Sequence, residues 1–248
     1  MKYFAAVPTL CALSILAGCS QSPQKLIATA NKYHARHKYK EASILYQKAI
    51  LKDKTNAEAY YREGLNLLDE RDPVNAVKYL RRAIDLNPKN IDAETRLAEI
   101  YLGAYASNPA RFHQILPDIK DLTKKILQND PNSFDGIRLE AFLALTNKNL
   151  DEALKDFARA NAIKPHSRDL VGWYAQALVQ DKKPEQAMAL VKGMLAYDKT
   201  WSPGYDFLFL QYSRESDKKD AEAVLREHVA NDPQNPAALV ALSNYLLA

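Results

Sequence analysis

Residues 57–90 read AEAYYREGLNLLDERDPVNAVKYLRRAIDLNPKN, and the reading of this stretch decides the fold. Asp72-Pro73 in its middle supplies a side-chain cap followed by proline in a first helical turn, so a second helix starts there. Asn87-Pro88 ends that helix, because the residue before proline avoids the α region. Gly64 and Ala76 are small enough to let the two helices approach closely. Ala83 leaves room for the first helix of whatever follows. The stretch predicts a helical hairpin with one crowded seam.

The same punctuation recurs along the chain. Small residues stand at Ala30, Gly64, Ala98, Ala141 and Ala175, in steps of 34, 34, 43 and 34. A second series, Ala42, Ala76, Ala153, Ala187 and Ala221, steps by 34, 77, 34 and 34 and so carries the same nine extra residues between repeats two and four. Prolines fall in phase at Pro88, Pro131, Pro165 and Pro233. A fixed period of this size marks a stacked repeat architecture. With Tyr60, Gly64, Leu67, Ala76, Leu80, Ala83 and Pro88 at its signature places, 57–90 closely resembles the tetratricopeptide repeat. The resemblance covers nearly all of 23–248. It implies an all-α fold, a right-handed superhelical α-solenoid of antiparallel helix pairs.

The phase divides this region into 23–56, 57–90, 91–133, 134–167, 168–201 and 202–235, with a further first helix over 236–248. The fourth repeat is as clear as the second, with Ala141, Ala153, Phe157, Ala160 and Pro165 in place. In the fifth and sixth, Met194 and His228 replace the small residue late in the second helix, and Phe209 replaces the early alanine. Packing there is expected to be looser or differently filled. The third repeat breaks at Gly103–Pro117, GAYASNPARFHQILP. This is either a lengthened turn or extended helix pair, or an element offering Tyr105, Arg111, Phe112 and His113 to a partner. The last helix, PAALVALSNYLLA, has Leu239, Leu242 and Leu246 at helical spacing and no polar cap, although terminal repeats normally need a solvated outer face. Continuation of the chain or a bound partner would account for it, and continuation is the expectation.

The N-terminus is of another kind. Met1-Lys2 is a short positive segment, and Tyr3 to Leu16 is apolar but too short to span a bilayer comfortably, the pattern of an export signal. Leu16-Ala17-Gly18-Cys19 then resembles the lipobox of bacterial lipoproteins. That resemblance implies a cleaved leader over 1–18, acylation of Cys19 and a tether over 19–22. Two or more acyl chains, at about 0.8 kcal/mol per buried CH₂, hold a protein firmly on a bilayer. Ser20 rather than Asp after the cysteine implies, by the same resemblance, the outer membrane rather than the inner. The tether from Ser20 to Pro23 reaches at most ~14 Å at ~3.5 Å per residue, so the body would lie close to the lipid.

Composition narrows the function. The 34 basic and 30 acidic residues give +4, interspersed, with no basic run dominating and no electrostatic footprint for nucleic acid. The two cysteines, Cys11 and Cys19, lie in the N-terminal segment, so stability comes from packing and not from disulfides. His34, His37, His113, His166 and His228 are scattered. His34 and His37 could share a helix face, but no third ligand follows by spacing. Asp151, Glu152 and Asp220 start second helices, where carboxylates suit the positive dipole end. Tyr33, Tyr46, Tyr60, Tyr79, Tyr101, Phe157 and Tyr212 sit at core places, and Trp201 is expected to pack beneath a turn. No phosphate loop or nucleophile motif appears, and neither a cofactor, a metal site nor a catalytic residue is expected.

In the family, first helices line a concave groove for a protein or peptide. The resemblance places Asn31, His34, Tyr61, Leu65, Thr95, Glu99, Arg138, Phe142, Gln176 and Asp206 on that groove. Ile27 stands where some members carry the lysine of a carboxylate clamp. An apolar segment with some basic residues is the expected complement, with Tyr61 and Phe142 as its main contacts. Two functions follow: an acylated envelope scaffold serving a pilus, an exopolysaccharide or an outer-membrane protein, or the substrate-recruiting region of a longer enzyme.

Overall fold

A computed structural model of the chain describes residues 21–214 and 217–247. The leader over 1–18 and Cys19 lie outside them. The described elements are helical: α1 (Pro23–His34), α2 (Tyr39–Lys52), α3 (Ala57–Asp69), α4 (Pro73–Leu86), α5 (Ile91–Ser107), α6 (Pro109–Phe112), a 3-10 turn (His113–Ile115), α7 (Leu116–Asn129), α8 (Phe134–Thr146), α9 (Leu150–Ile163), α10 (Arg168–Gln180), α11 (Pro184–Tyr197), α12 (Ser202–Arg214), α13 (Lys218–Asn231) and α14 (Pro236–Leu247). The described residues divide into two compact blocks, one ending at Pro88 and the other starting at Lys89.

Local chemistry fixes where helices begin. Ser22, Asn56, Asp72, Asn90, Ser133, Asn149 and Asp217 each accept a hydrogen bond from the backbone N–H three residues on, covering one of the bare donors of a helix start. Ends inside a pair follow a second rule. His37, Arg71, Lys148 and Lys182 adopt φ of 57°, 65°, 60° and 58°, the left-handed region. In the turn after α1, His37 N–H donates to His34 O at 2.8 Å and Lys38 N–H to Tyr33 O at 3.0 Å. The same pair of bonds recurs after α3, α8 and α10. Glycine is the usual occupant of such a cap because it has no Cβ to strain. Here the place is held by cationic or histidine side chains at the negative end of a helix dipole.

Within the N-terminal block, α1 packs on α2, α2 on α3 and α3 on α4. Leu26, Ala30, Ala42, Tyr46, Ala49 and Ala59 are buried at that seam. Gly64 is required there: a Cβ on it would stand 2.8 Å from Cγ and Cδ2 of Leu80, which is itself wholly buried. The C-terminal block repeats the scheme from α5 through α14, each helix against the next, with α6 and the 3-10 turn interposed before α7.

The departures from pattern are filled rather than loose. Met194 is 2% exposed. His228, 3% exposed, stacks on Tyr205 with ring centres 4.4 Å apart and planes 9° from parallel. Its Nε2 lies 3.1 Å from Ser202 Oγ. Phe209 meets the ring of Tyr245 on α14 edge to face at 5.7 Å. Trp201 is buried under the turn between α11 and α12. Part of the extra length of the third repeat extends its first helix, α5 having 17 residues where α3 has 13, and the rest lies in the connection that holds α6 and the 3-10 turn. No described helix is long and apolar enough to cross a membrane.

Candidate functional site

The first helices of a block touch one another as well as their partners, α1 with α3, α5 with α8 and α8 with α10, so each block presents a face built from first helices. In the N-terminal block the central residues are Tyr61, Leu65 and Leu68, all half-exposed on α3. The Arg62 guanidinium lies 5.6 Å from the Tyr61 ring centre. Beside them His34 Nε2 is 2.7 Å from Asp69 Oδ2, and the His34 ring lies 5.5 Å from that of Tyr39. Asn31 is committed to the interior through one atom: its Oδ1 accepts from the buried Tyr46 hydroxyl at 2.6 Å. Burial pushes the Tyr46 phenol up to about 12.

Beneath this face lies a carboxylate that spacing did not single out. Glu63 is wholly buried; Ser43 Oγ donates to its Oε1 at 2.5 Å and Gln47 Nε2 at 3.0 Å, while Oε2 has no hydrogen-bond partner. Burial raises its pKa, and the two hydrogen bonds offset part of that rise.

In the C-terminal block the predicted contacts divide by depth. Thr95 and Glu99 are half-exposed, and Gln176 and Asp206 are exposed. Arg138 and Phe142, at 6% and 2% exposure, form the floor of the face. Arg138 donates from one amino group to Glu99 Oε1 and Asp135 Oδ1, each at 3.2 Å, so two of the face's carboxylates share one buried cation. Phe142 is clamped edge to face between Tyr105 at 5.6 Å and Trp173 at 5.3 Å. Tyr105 comes from the extension of α5, so the inserted residues brace this floor. Arg111 and His113 remain exposed, and Phe112 is half-buried. Trp173, half-exposed, is an aromatic of this face that was not among the groove residues expected from the resemblance.

The arrangement suits binding an apolar segment over a broad face rather than polarising a bond. Among the described residues, no group of three His, Cys, Asp or Glu side chains could hold a metal ion.

Comparison with known proteins agrees with the helical repeat. The tetratricopeptide repeat family is matched twice, over residues 57–90 and 144–206. No curated protein sequence matches the chain. Among solved structures, PilW, a widely conserved type IV pilus biogenesis factor, superposes with a TM-score of 0.69 at 12% identity, over 89% of this chain and 98% of PilW. Pseudomonas aeruginosa PilF gives 0.65 at 12% identity over 90% and 97%. A tetratricopeptide repeat protein of Parabacteroides merdae gives 0.65 at 16% identity over 90% and 84%. Likeness at these identities shows the fold, an α-solenoid of paired helices.

Proposed function

The chain is a tetratricopeptide-repeat protein, and we propose from this that it is a protein-interaction scaffold, held on the outer membrane of a bacterial envelope by acylated Cys19, where it assists assembly of a surface structure. The observation that carries the scaffold is the first-helix face of the N-terminal block. Tyr61, Leu65 and Leu68 are half-exposed together on one helix, beside His34 and Asp69. A half-exposed apolar row with polar groups at its edge is the form of a helix- or strand-binding surface. Catalysis is not part of the reading. The Leu16-Ala17-Gly18-Cys19 tetrapeptide supports the anchor. The fold shared with PilW favours a pilus over an exopolysaccharide or an outer-membrane protein as the structure served.

Two substitutions test the two halves. Tyr61→Ala with Leu65→Ala should reduce partner capture from envelope membranes at least tenfold while leaving helicity by circular dichroism unchanged; full capture by this variant would defeat the scaffold face. Cys19→Ala should abolish radiolabelled palmitate incorporation and move the protein to the soluble fraction. Retained label on that variant would defeat the anchor.

A further inference from the structure

Two clefts open between successive second helices of the C-terminal block, and they are the same place in the repeat two 34-residue periods apart. The first, of about 700 Å³, lies among α7, α8 and α9. The second, of about 400 Å³, lies among α11, α12 and α13. Their walls correspond residue by residue: Lys124 with Lys192, Leu127 with Leu195, Glu152 with Asp220. Two of their differences bear on what could bind there.

The first difference is a missing ring. Tyr212 lines the second cleft, and the Lys192 ammonium stands 5.4 Å from its ring centre. In the first cleft that place holds Ala144. Across the other repeats the place is Tyr33, Leu67, Tyr101, Leu178 and Tyr212, so the fourth alone has surrendered its large side chain there. Lys124 is left to line the cleft with Leu127, Leu143 and Ala144. The second difference is one helical turn earlier, where Glu140 replaces Leu208. Its half-buried carboxyl is pushed up by burial and by the neighbouring Asp156.

A cation and a carboxylate lining one partly apolar slot together describe a ligand. An ammonium favours the face of an aromatic ring. A half-buried carboxylate can accept from a hydroxyl. A phenylalanine would leave Glu140 unanswered. We propose that the cleft over Ala144 binds a tyrosine side chain presented by a partner protein, its ring beneath Lys124 and its hydroxyl donating to Glu140. The sixth repeat shows the same ring-under-lysine arrangement made with the chain's own residues. None of the cleft residues belongs to the first-helix face, so this site stands or falls apart from the scaffold reading above.

The test is a titration of the full chain with N-acetyl-tyrosinamide, followed by backbone amide NMR. Saturable shifts are expected at Leu127, Leu143 and Ala144, with N-acetyl-phenylalaninamide binding at least threefold more weakly. Ala144→Tyr should abolish the shifts without lowering the melting temperature, since tyrosine already occupies this place in three other repeats. Should that variant misfold, Lys124→Ala at an exposed position should weaken binding several-fold. Tyr61→Ala should leave it unchanged. Absent shifts, equal binding of the phenylalanine analogue, or indifference to Ala144→Tyr and Lys124→Ala would overturn the site. For the source of the ring, a displayed random-peptide library eluted with N-acetyl-tyrosinamide should return peptides with one fixed tyrosine. Peptides lacking it, or none at all, would overturn a protein partner.

Discussion

In the second repeat Ala83 is wholly buried and Tyr60, half-buried, leans on Tyr79 with ring centres 6.1 Å apart. In the sixth, His228 takes the place of Ala83 and Tyr205 that of Tyr60, and the two rings stack at 4.4 Å with both residues buried. A third place differs too: the second repeat buries Glu63 where the sixth buries Leu208. One backbone plan thus accommodates a small residue with a displaced tyrosine, or a histidine with an inserted one. What the repeat conserves at this seam is shared volume, and a residue's size is dictated by its neighbour across the pair.

Exchanging the solutions one residue at a time should break this equivalence. Ala83→His alone places an imidazole in a filled site and should cost about 3 kcal/mol of stability, read from the urea midpoint. The reverse change, His228→Ala, removes the stack and leaves a cavity under Tyr205, for a loss of about 2 kcal/mol. If Ala83→His proved neutral, Tyr60 would have moved to stack as Tyr205 does, and the two repeats would be interconvertible.

The buried carboxylate sharpens the contrast through pH. Glu63 holds its proton more tightly folded than unfolded, because burial raises its pKa above the ordinary 4.5. The folded state therefore binds more protons, and stability falls as pH rises from about 4.5 through the raised folded value, then stays level. Melting curves across that window should slope downward for the native protein, and Glu63→Gln should flatten that part of the slope. The smallest effect is at the turn. Arg71→Gly relieves a left-handed backbone at φ 65° and should gain about 0.5–1 kcal/mol.

The helix pairs were legible because close packing writes itself into sequence as small residues at a fixed interval. Gly64 could be read as a close approach before Leu80 was known to be the atom it avoids. Depth was not legible. Repeat arithmetic assigns Phe142 to a face, but whether it is covered depends on Tyr105, delivered by an irregular extension, and on Trp173 from the following repeat. His34 and Asp69 are 35 residues apart, and only the fold makes them a pair. The cleft over Ala144 was present in the sequence as a single alanine among tyrosines and leucines. It carried no signal until the space above it was seen, since alanine is unremarkable in a helix.

The left-handed turns have a consequence for how the chain meets a protease. Arg71, Lys148 and Lys182 are exposed, and each lies between the two helices of a pair. A trypsin-like enzyme stopped early should nick the chain at these points. Each nick severs a loop whose helices remain packed on each other. The digest should therefore elute as an uncut particle and separate into fragments ending at residues 71, 148 and 182 only on denaturation, so that the covalent thread proves dispensable to the assembled stack.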